Sequence, residues 1–129
     1  MANLDRRIHT LVVGAGQAGL ATSYFLTHQN IPHVVLDRSG IGSAWKYERW
    51  DSFTLVTPNW TIQLPGASYV GDEPNSFLQR DEFVAWLDDW ATNFSCPVVS
   101  GFEVTRVGSG KGAFEVKTSD GYWYSKNIV

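Results

Sequence analysis

Cysteine is nearly absent from this sequence: Cys96 is the only one in 129 residues. A single cysteine excludes an internal disulfide framework, a cysteine-based metal site and redox chemistry that needs two cysteines in one chain. The three histidines, His9, His28 and His33, show no metal-ligand spacing, so we expect no metal site. This cysteine usage favours a reducing, cytoplasmic setting.

Basic residues and long hydrophobic runs are also scarce. Lys plus Arg number 10 against 13 Asp plus Glu, which gives a formal net charge of -3. Nucleic-acid binding is driven by clustered basic side chains, so we do not expect a nucleic-acid partner. The most apolar stretch, residues 11–21, is short and interrupted by glycines, which argues against a membrane-spanning helix.

The N-terminal third shows the pattern of a parallel sheet with a crossover helix. Residues 8–14 form an apolar, β-branched run that predicts a buried strand. Residues 17–29 have helical spacing, and residues 34–37 predict a second buried strand. Strand, helix and strand in this order predict a βαβ unit, and therefore an α/β fold.

The rest of the chain predicts one more helix and an antiparallel meander. Apolar residues three to four apart predict a helix over residues 80–94. Alternating patterns predict further strands at residues 97–99, 102–107, 113–118 and 122–127. Residues 38–79 are irregular, with a strand-like stretch at residues 53–57, and residues 128–129 are expected to open another buried strand.

Residues 14–19 carry a G-x-G-x-x-G pattern between the first predicted strand and the first helix. Gly14 permits a tight turn, Gly16 lets the backbone approach a pyrophosphate, and Gly19 lets the helix pack against the strand. The N–H groups at the start of this helix, around Gln17 and Ala18, then face the diphosphate. This context predicts a Rossmann-like dinucleotide-binding domain. The alternative is that the glycines only make a tight turn.

An acid ends the second predicted strand. Asp37 follows Gly19 by 18 residues, where a carboxylate can accept hydrogen bonds from the adenosine ribose. A carboxylate disfavours a 2′-phosphate, so we do not expect NADP at this loop. Asp37 as an ordinary surface carboxylate is the alternative. Arg38 follows, and either a ribose or adenine contact or a surface position fits it.

Most of the chain resembles the N-terminal, FAD-binding part of the flavin-containing monooxygenase family. The resemblance rests on GAGQAGLATSYFL, VVLDRSGIGSAW and YERWDSFTLVTP, and continues through RDEFVAWLDDWA and PVVSGFEVTRV. It implies FAD, with the three glycines at the pyrophosphate and Asp37 at the ribose, where the family more often carries Glu. Gly42 and Trp45 match a G-x-x-W motif near the flavin. A core tryptophan is the alternative for Trp45.

The resemblance leaves the catalytic residues unassigned. Arg49, Asp51 and Ser52 match an aromatic-Asp-Ser segment, in which they either serve the site or hydrogen-bond within the loop. The family's catalytic Asn precedes a Thr-Pro pair, but Val56 stands there in this sequence and Asn59 lies three residues further on.

The resemblance implies an oxidoreductase in which NADPH reduces the flavin and oxygen then oxygenates a small organic substrate. Family members are several times longer and carry a second glycine-rich loop for NADPH, which residues 1–129 lack. We therefore expect residues 1–129 to be an FAD-binding domain portion that is inactive alone. A non-catalytic dinucleotide-binding or interaction module and an NAD-dependent dehydrogenase fragment are the alternatives. We also expect self-association through an exposed sheet edge.

Overall fold

The computed structural model describes residues 6–48, 50, 52–110 and 112–129, which form a mixed sheet with helices packed on it. The helices are α1 Gln17–His28, α2 Ser43–Glu48 and α3 Arg80–Asn93, with a short 3-10 turn at Asn59–Thr61. The strands are β1 Arg7–Val13, β2 His33–Asp37, β3 Gln63–Leu64, β4 Ala67–Ser68, β5 Val98–Ser100, β6 Val104–Ser109, β7 Phe114–Thr118 and β8 Gly121–Ile128.

The predicted βαβ unit is confirmed. Strands β1 and β2 pair in parallel, with Val12 opposite Val35, and α1 connects them. Both valines are buried in the cluster that holds Leu20 of α1 and Leu87 of α3. Neighbouring residues along a strand point to opposite faces. Leu11 accordingly belongs to a second cluster, with Leu36, Val116 and Trp123.

The six main strands form one sheet in the order β5-β2-β1-β8-β7-β6. Strand β8 joins its two parts, because it pairs in parallel with β1 and antiparallel with β7. This confirms the predicted α/β class with a parallel part and an antiparallel meander. The expectation that Ile128 opens a new strand is wrong, since Ile128 ends β8 and pairs with Leu11. Apolar alternation does not show where one strand ends and the next begins.

The predicted strand at residues 53–57 is also wrong. Only Thr54 pairs there, through a single bridge to Gln79. Two hydrogen bonds make this bridge: the Leu55 N–H donates to the Leu78 carbonyl at 3.0 Å, and the Arg80 N–H donates to the Phe53 carbonyl at 2.9 Å. The Leu55 side chain is buried in the core. The apolar pattern of residues 53–57 therefore comes from a loop that covers the core. Such a loop can show the same apolar pattern as an edge strand.

Helix α3 begins beside this loop and anchors it. The Glu82 carboxylate accepts a hydrogen bond from the Gln79 N–H at 3.1 Å, which caps the first turn. Trp90, buried on the core side, donates from Nε1 to the Pro65 carbonyl at 3.0 Å. No helix in the described part of the chain has the length and apolar character needed to cross a membrane.

Candidate functional site

The glycine loop turns the chain sharply from β1 into α1. Gly14 has φ +97°, in the left-handed region that glycine adopts at little cost. A methyl group on Gly19 would collide with the Gly14 carbonyl oxygen, so only glycine fits there. A methyl group on Gly16 would meet nothing within 4 Å. The space beside Gly16 is therefore open to a ligand.

The start of α1 presents backbone donors beside that open space. The helix's first i→i−4 bond runs from the Leu20 N–H to the Gly16 carbonyl at 3.0 Å. The N–H groups of Gln17, Ala18 and Gly19 precede that bond, so the helix does not use them. Gln17 and Ala18 are exposed. Together with the helix dipole, these donors make a suitable place for an anionic diphosphate.

Asp37 lies at the carboxyl end of β2, and its carboxylate is bonded to its own chain. Oδ1 accepts from the Ala15 N–H at 2.9 Å. Oδ2 accepts from the Ser39 N–H at 2.9 Å, the Gly40 N–H at 2.8 Å and the Ser43 hydroxyl at 2.9 Å. Burial by itself would raise the pKa of Asp37, but these four hydrogen bonds outweigh it and hold the pKa below the ordinary 3.8. Asp37 is therefore a carboxylate at neutral pH.

A crevice of about 250 Å³ brings Gly14, Asp37 and Arg38 together, and we call it the Asp37 crevice. Ser43 and Ala44, at the start of α2, line it as well. Arg38 is exposed to solvent. The structure thus gathers the residues predicted for the ribose and adenine into one place at the carboxyl ends of the parallel strands, where ligands of such sheets bind.

Gly42 has a packing role in this arrangement. It is buried with φ +68°, and a methyl group there would lie 3.3 Å from Cγ1 of Val84 on α3. Its N–H donates to the Ala15 carbonyl at 3.0 Å. The residue therefore lets α2 sit against both α3 and the glycine loop, and its predicted contact with the cofactor stays a prediction.

Trp45 packs into the core and also borders a cavity. Its ring centroid lies 5.4 Å from that of Phe53 and 4.9 Å from that of Phe83. With these residues it lines a cavity of about 220 Å³, which we call the Trp45 cavity. Gln17, at the start of α1, lines the same cavity. The two interpretations of Trp45, as core residue and as ring neighbour, are thus compatible.

Asn59 does not replace the family's catalytic asparagine. It is 2% exposed, its Nδ2 donates to the Glu73 carbonyl at 2.9 Å, and its Oδ1 accepts from the Leu78 N–H at 2.8 Å. The amide therefore holds the loop before α3 and is not free to reach a ligand. Val56, at the family's asparagine position, is 86% exposed and offers no polar group.

The remaining candidates belong to the aromatic-Asp-Ser segment. Arg49 and Asp51 lie outside the described residues, and Ser52 is exposed. No group of three or more possible metal ligands occurs among the residues that the structure describes. Ser43 is the site residue that sequence reasoning missed, because a serine at the start of a short helix gave no sign of its bond to Asp37.

The comparisons with known proteins agree on a family. The model of the pyridine nucleotide-disulphide oxidoreductase family matches residues 11–129. A curated relative, the uncharacterized oxidoreductase CzcO-like of Geobacillus kaustophilus, is 36% identical over 123 residues, covering 95% of this chain and 35% of its own. The probable indole-3-pyruvate monooxygenase YUCCA1 of Arabidopsis thaliana is 32% identical over 117 residues, covering 88% of this chain and 28% of its own.

A solved structure gives the same result for the fold. The flavin-containing monooxygenase from Stenotrophomonas maltophilia matches with a TM-score of 0.83 at 28% identity, covering 95% of this chain and 37% of its own. The chain therefore spans about a third of the length of these similar proteins.

Proposed function

The chain belongs to the pyridine nucleotide-disulphide oxidoreductase family, among the relatives of flavin-containing monooxygenases, and on this premise we propose that it binds FAD at the carboxyl ends of β1 and β2. The resemblance read from the sequence is confirmed by these matches. One observation supports the FAD site most directly. The glycine loop lies between two cavities, because Gly14 lines the Asp37 crevice and Gln17 lines the Trp45 cavity.

This arrangement suits an extended dinucleotide. We assign the adenosine half to the Asp37 crevice, with Asp37 and Arg38 beside it, and the diphosphate to the open space at Gly16. The flavin half then extends toward the Trp45 cavity. The three predicted glycines fit this assignment for distinct reasons. Gly14 makes the tight turn, Gly16 leaves open space for the diphosphate, and Gly19 allows α1 to pack closely against the Gly14 carbonyl.

The chain's own part in the chemistry is binding and shielding. When bound, FAD supplies the redox chemistry of such enzymes. Trp45, Phe53 and Leu55 give the Trp45 cavity an apolar wall that excludes water from a ring placed beside it. No titratable side chain lines that cavity in the described part of the chain, so these residues orient the ring and transfer no proton.

We further propose that residues 1–129 are the FAD-binding portion of a monooxygenase-like oxidoreductase. In that enzyme the bound FAD would supply the chemistry for oxygenating a small organic substrate with oxygen, with NADPH as the reductant. A second glycine-rich loop for NADPH is not found in these 129 residues, so the chain alone should not complete the cycle. The cytoplasmic setting expected from the cysteine usage is part of the same proposal.

The absorbance spectrum of the chain, loaded with FAD and freed of excess ligand, tests the proposed cofactor. Retained flavin gives visible bands at about 375 and 450 nm, whereas a bound nicotinamide dinucleotide or an empty module gives neither. FAD retained in equimolar amount is the expected result. A colourless protein that binds NAD by calorimetry would instead favour the dehydrogenase alternative, and a colourless protein that binds neither would favour the non-catalytic module.

A further inference from the structure

The four hydrogen bonds to Asp37 come from three separate parts of the chain. Ala15 belongs to the glycine loop, Ser39 and Gly40 to the turn after β2, and Ser43 to the first turn of α2. One side chain therefore connects the glycine loop, the turn after β2 and the first turn of α2.

These bonds leave little capacity for a ribose. An ionised carboxylate offers about four acceptor positions. Oδ1 uses one for Ala15, and Oδ2 accepts three donors, the last of them the Ser43 hydroxyl. The short Asp side chain is thus directed into the protein, so its main action on a ligand is through the groups that it holds in place.

Residues at the start of helix α2 line both cavities, so the position of this helix affects both. Ser43 and Ala44 line the Asp37 crevice, and Trp45 lines the Trp45 cavity. A second tie, from the Gly42 N–H to the Ala15 carbonyl at 3.0 Å, joins the same helix to the glycine loop. A shift at the start of α2 would therefore change both cavities together.

We propose that Asp37 and Ser43 form a positioning pair. The Asp37 carboxylate connects the glycine loop to α2, and the Ser43 hydroxyl, through its bond to Asp37, keeps that helix in the position needed to bind the dinucleotide. This inference rests on the proposed FAD site for its effect on binding. Its structural part, the fastening of loop to helix, concerns the ligand-free protein. Ser43 is therefore a positioning residue that acts through Asp37 and α2.

The ligand-free part is tested by amide hydrogen exchange, measured by NMR on the full chain without FAD. Asp37→Asn should speed exchange of the Ala15 amide about tenfold, because that N–H loses a charged acceptor. Ser43→Ala should speed exchange of the Gly42 amide several-fold. Ser39→Ala is the matched control, because Ser39 is exposed and bonds Asp37 only through its backbone N–H. Unchanged exchange at Ala15 and Gly42 in both variants would overturn the pair.

The binding part is tested by FAD titration and by circular dichroism of the bound flavin. Ser43→Ala should weaken FAD binding about five- to tenfold and change the flavin dichroism, while Ser43→Thr, which keeps the hydroxyl, should restore both. Ser43→Ala should add nothing further to Asp37→Asn, because both remove the same tie. A residue that merely stabilises the fold would lower the melting temperature without changing the dichroism, and that result, or full additivity, would refute the inference.

The two arms separate this inference from the proposed function. If the unaltered chain binds no FAD, the proposed function is wrong, while amide exchange still decides whether Asp37 and Ser43 fasten the loop. If the chain binds FAD and the Ser43→Ala variant binds it equally well with the same dichroism, the proposed function stands and the positioning pair is wrong.

Discussion

At the scale of single residues, the three glycines of the loop at residues 14–19 have different structural roles although they belong to one motif. Gly19 is fixed by the protein itself, because any side chain there strikes the Gly14 carbonyl. Gly16 faces open space, so packing within the protein does not require glycine at that position. The proposed dinucleotide, lying against the backbone, would require it.

Gly19→Ala and Gly16→Ala should therefore destabilise the protein to very different extents. Gly19→Ala should lower the free energy of unfolding by about 3 kcal/mol or more, because the backbone must move to admit the methyl group. Gly16→Ala should lower it by less than about 1 kcal/mol, since only the N-terminal position of α1 is affected. Urea denaturation of the two variants measures both changes, and equal losses would contradict the assignment.

Asp37 should make stability depend on pH. Its folded-state pKa lies below the ordinary value, so its contribution is present above the pKa of the unfolded chain and is lost as the pH falls through the folded pKa. Stability should thus decline as the pH falls through the unfolded and then the folded pKa of Asp37, and less steeply in Asp37→Asn. Urea midpoints across this range measure the slopes. Asp88→Asn, at an exposed position on α3, is the control, and identical slopes in Asp37→Asn and the unaltered chain would refute the role.

At the scale of elements, the sequence predicts the helices and strands that have a regular apolar pattern, and it misses those that depend on tertiary contacts. The βαβ unit and α3 follow from runs of apolar residues, and the structure places them within one or two residues of the predictions. Helix α2 is only six residues long, too short for a periodic pattern, and it is held by Gly42 and Ser43. Gly14, Asp37 and Arg38 were predicted as site residues, whereas Ser43 was missed. The direction of the Asp37 side chain depends on donors that come together only in the fold.

The packing of α2 gives an element-scale prediction. Gly42→Ala should destabilise the protein by about 2–3 kcal/mol, because the new methyl group meets Val84 and the backbone has φ +68°. Gly101→Ala is the matched control, since Gly101 also has positive φ, +87°, but nothing within 4 Å of an added methyl group. Its cost should be about 1–2 kcal/mol, from backbone strain alone. Chemical denaturation gives the difference, and a larger loss for Gly101→Ala would contradict the packing role.

At the scale of the whole molecule, the chain is about a third as long as the similar proteins. Parts of its sheet have no neighbouring strand on one side among the described residues. Strand β6 lies at one end of the sheet order and carries Val107, which is 44% exposed. Strand β7 stops pairing with β8 at Ser125, so no described strand pairs with Lys126–Ile128 on that side. Such strands can pair with a second copy of the chain.

We therefore expect the 129-residue chain to self-associate. Sedimentation velocity over a range of concentrations should show a mass-action shift from monomer toward dimer. If the two copies pair through β6, Val107→Lys should reduce the shift toward dimer, because a lysine on an edge strand opposes edge-to-edge pairing. A single monomeric species at every concentration would contradict the expectation and indicate that the open strands do not associate.

The central claim, that FAD lies against the glycine loop, is tested most directly by an FAD titration of Gly16→Val followed by flavin fluorescence. Gly108→Val is the matched control, because Gly108 is also open on its free side and lies in an edge strand, where valine is well tolerated. We predict that the unaltered chain and Gly108→Val bind FAD equally, while Gly16→Val stays folded by circular dichroism and loses FAD binding. FAD binding by Gly16→Val at unchanged affinity would contradict the account.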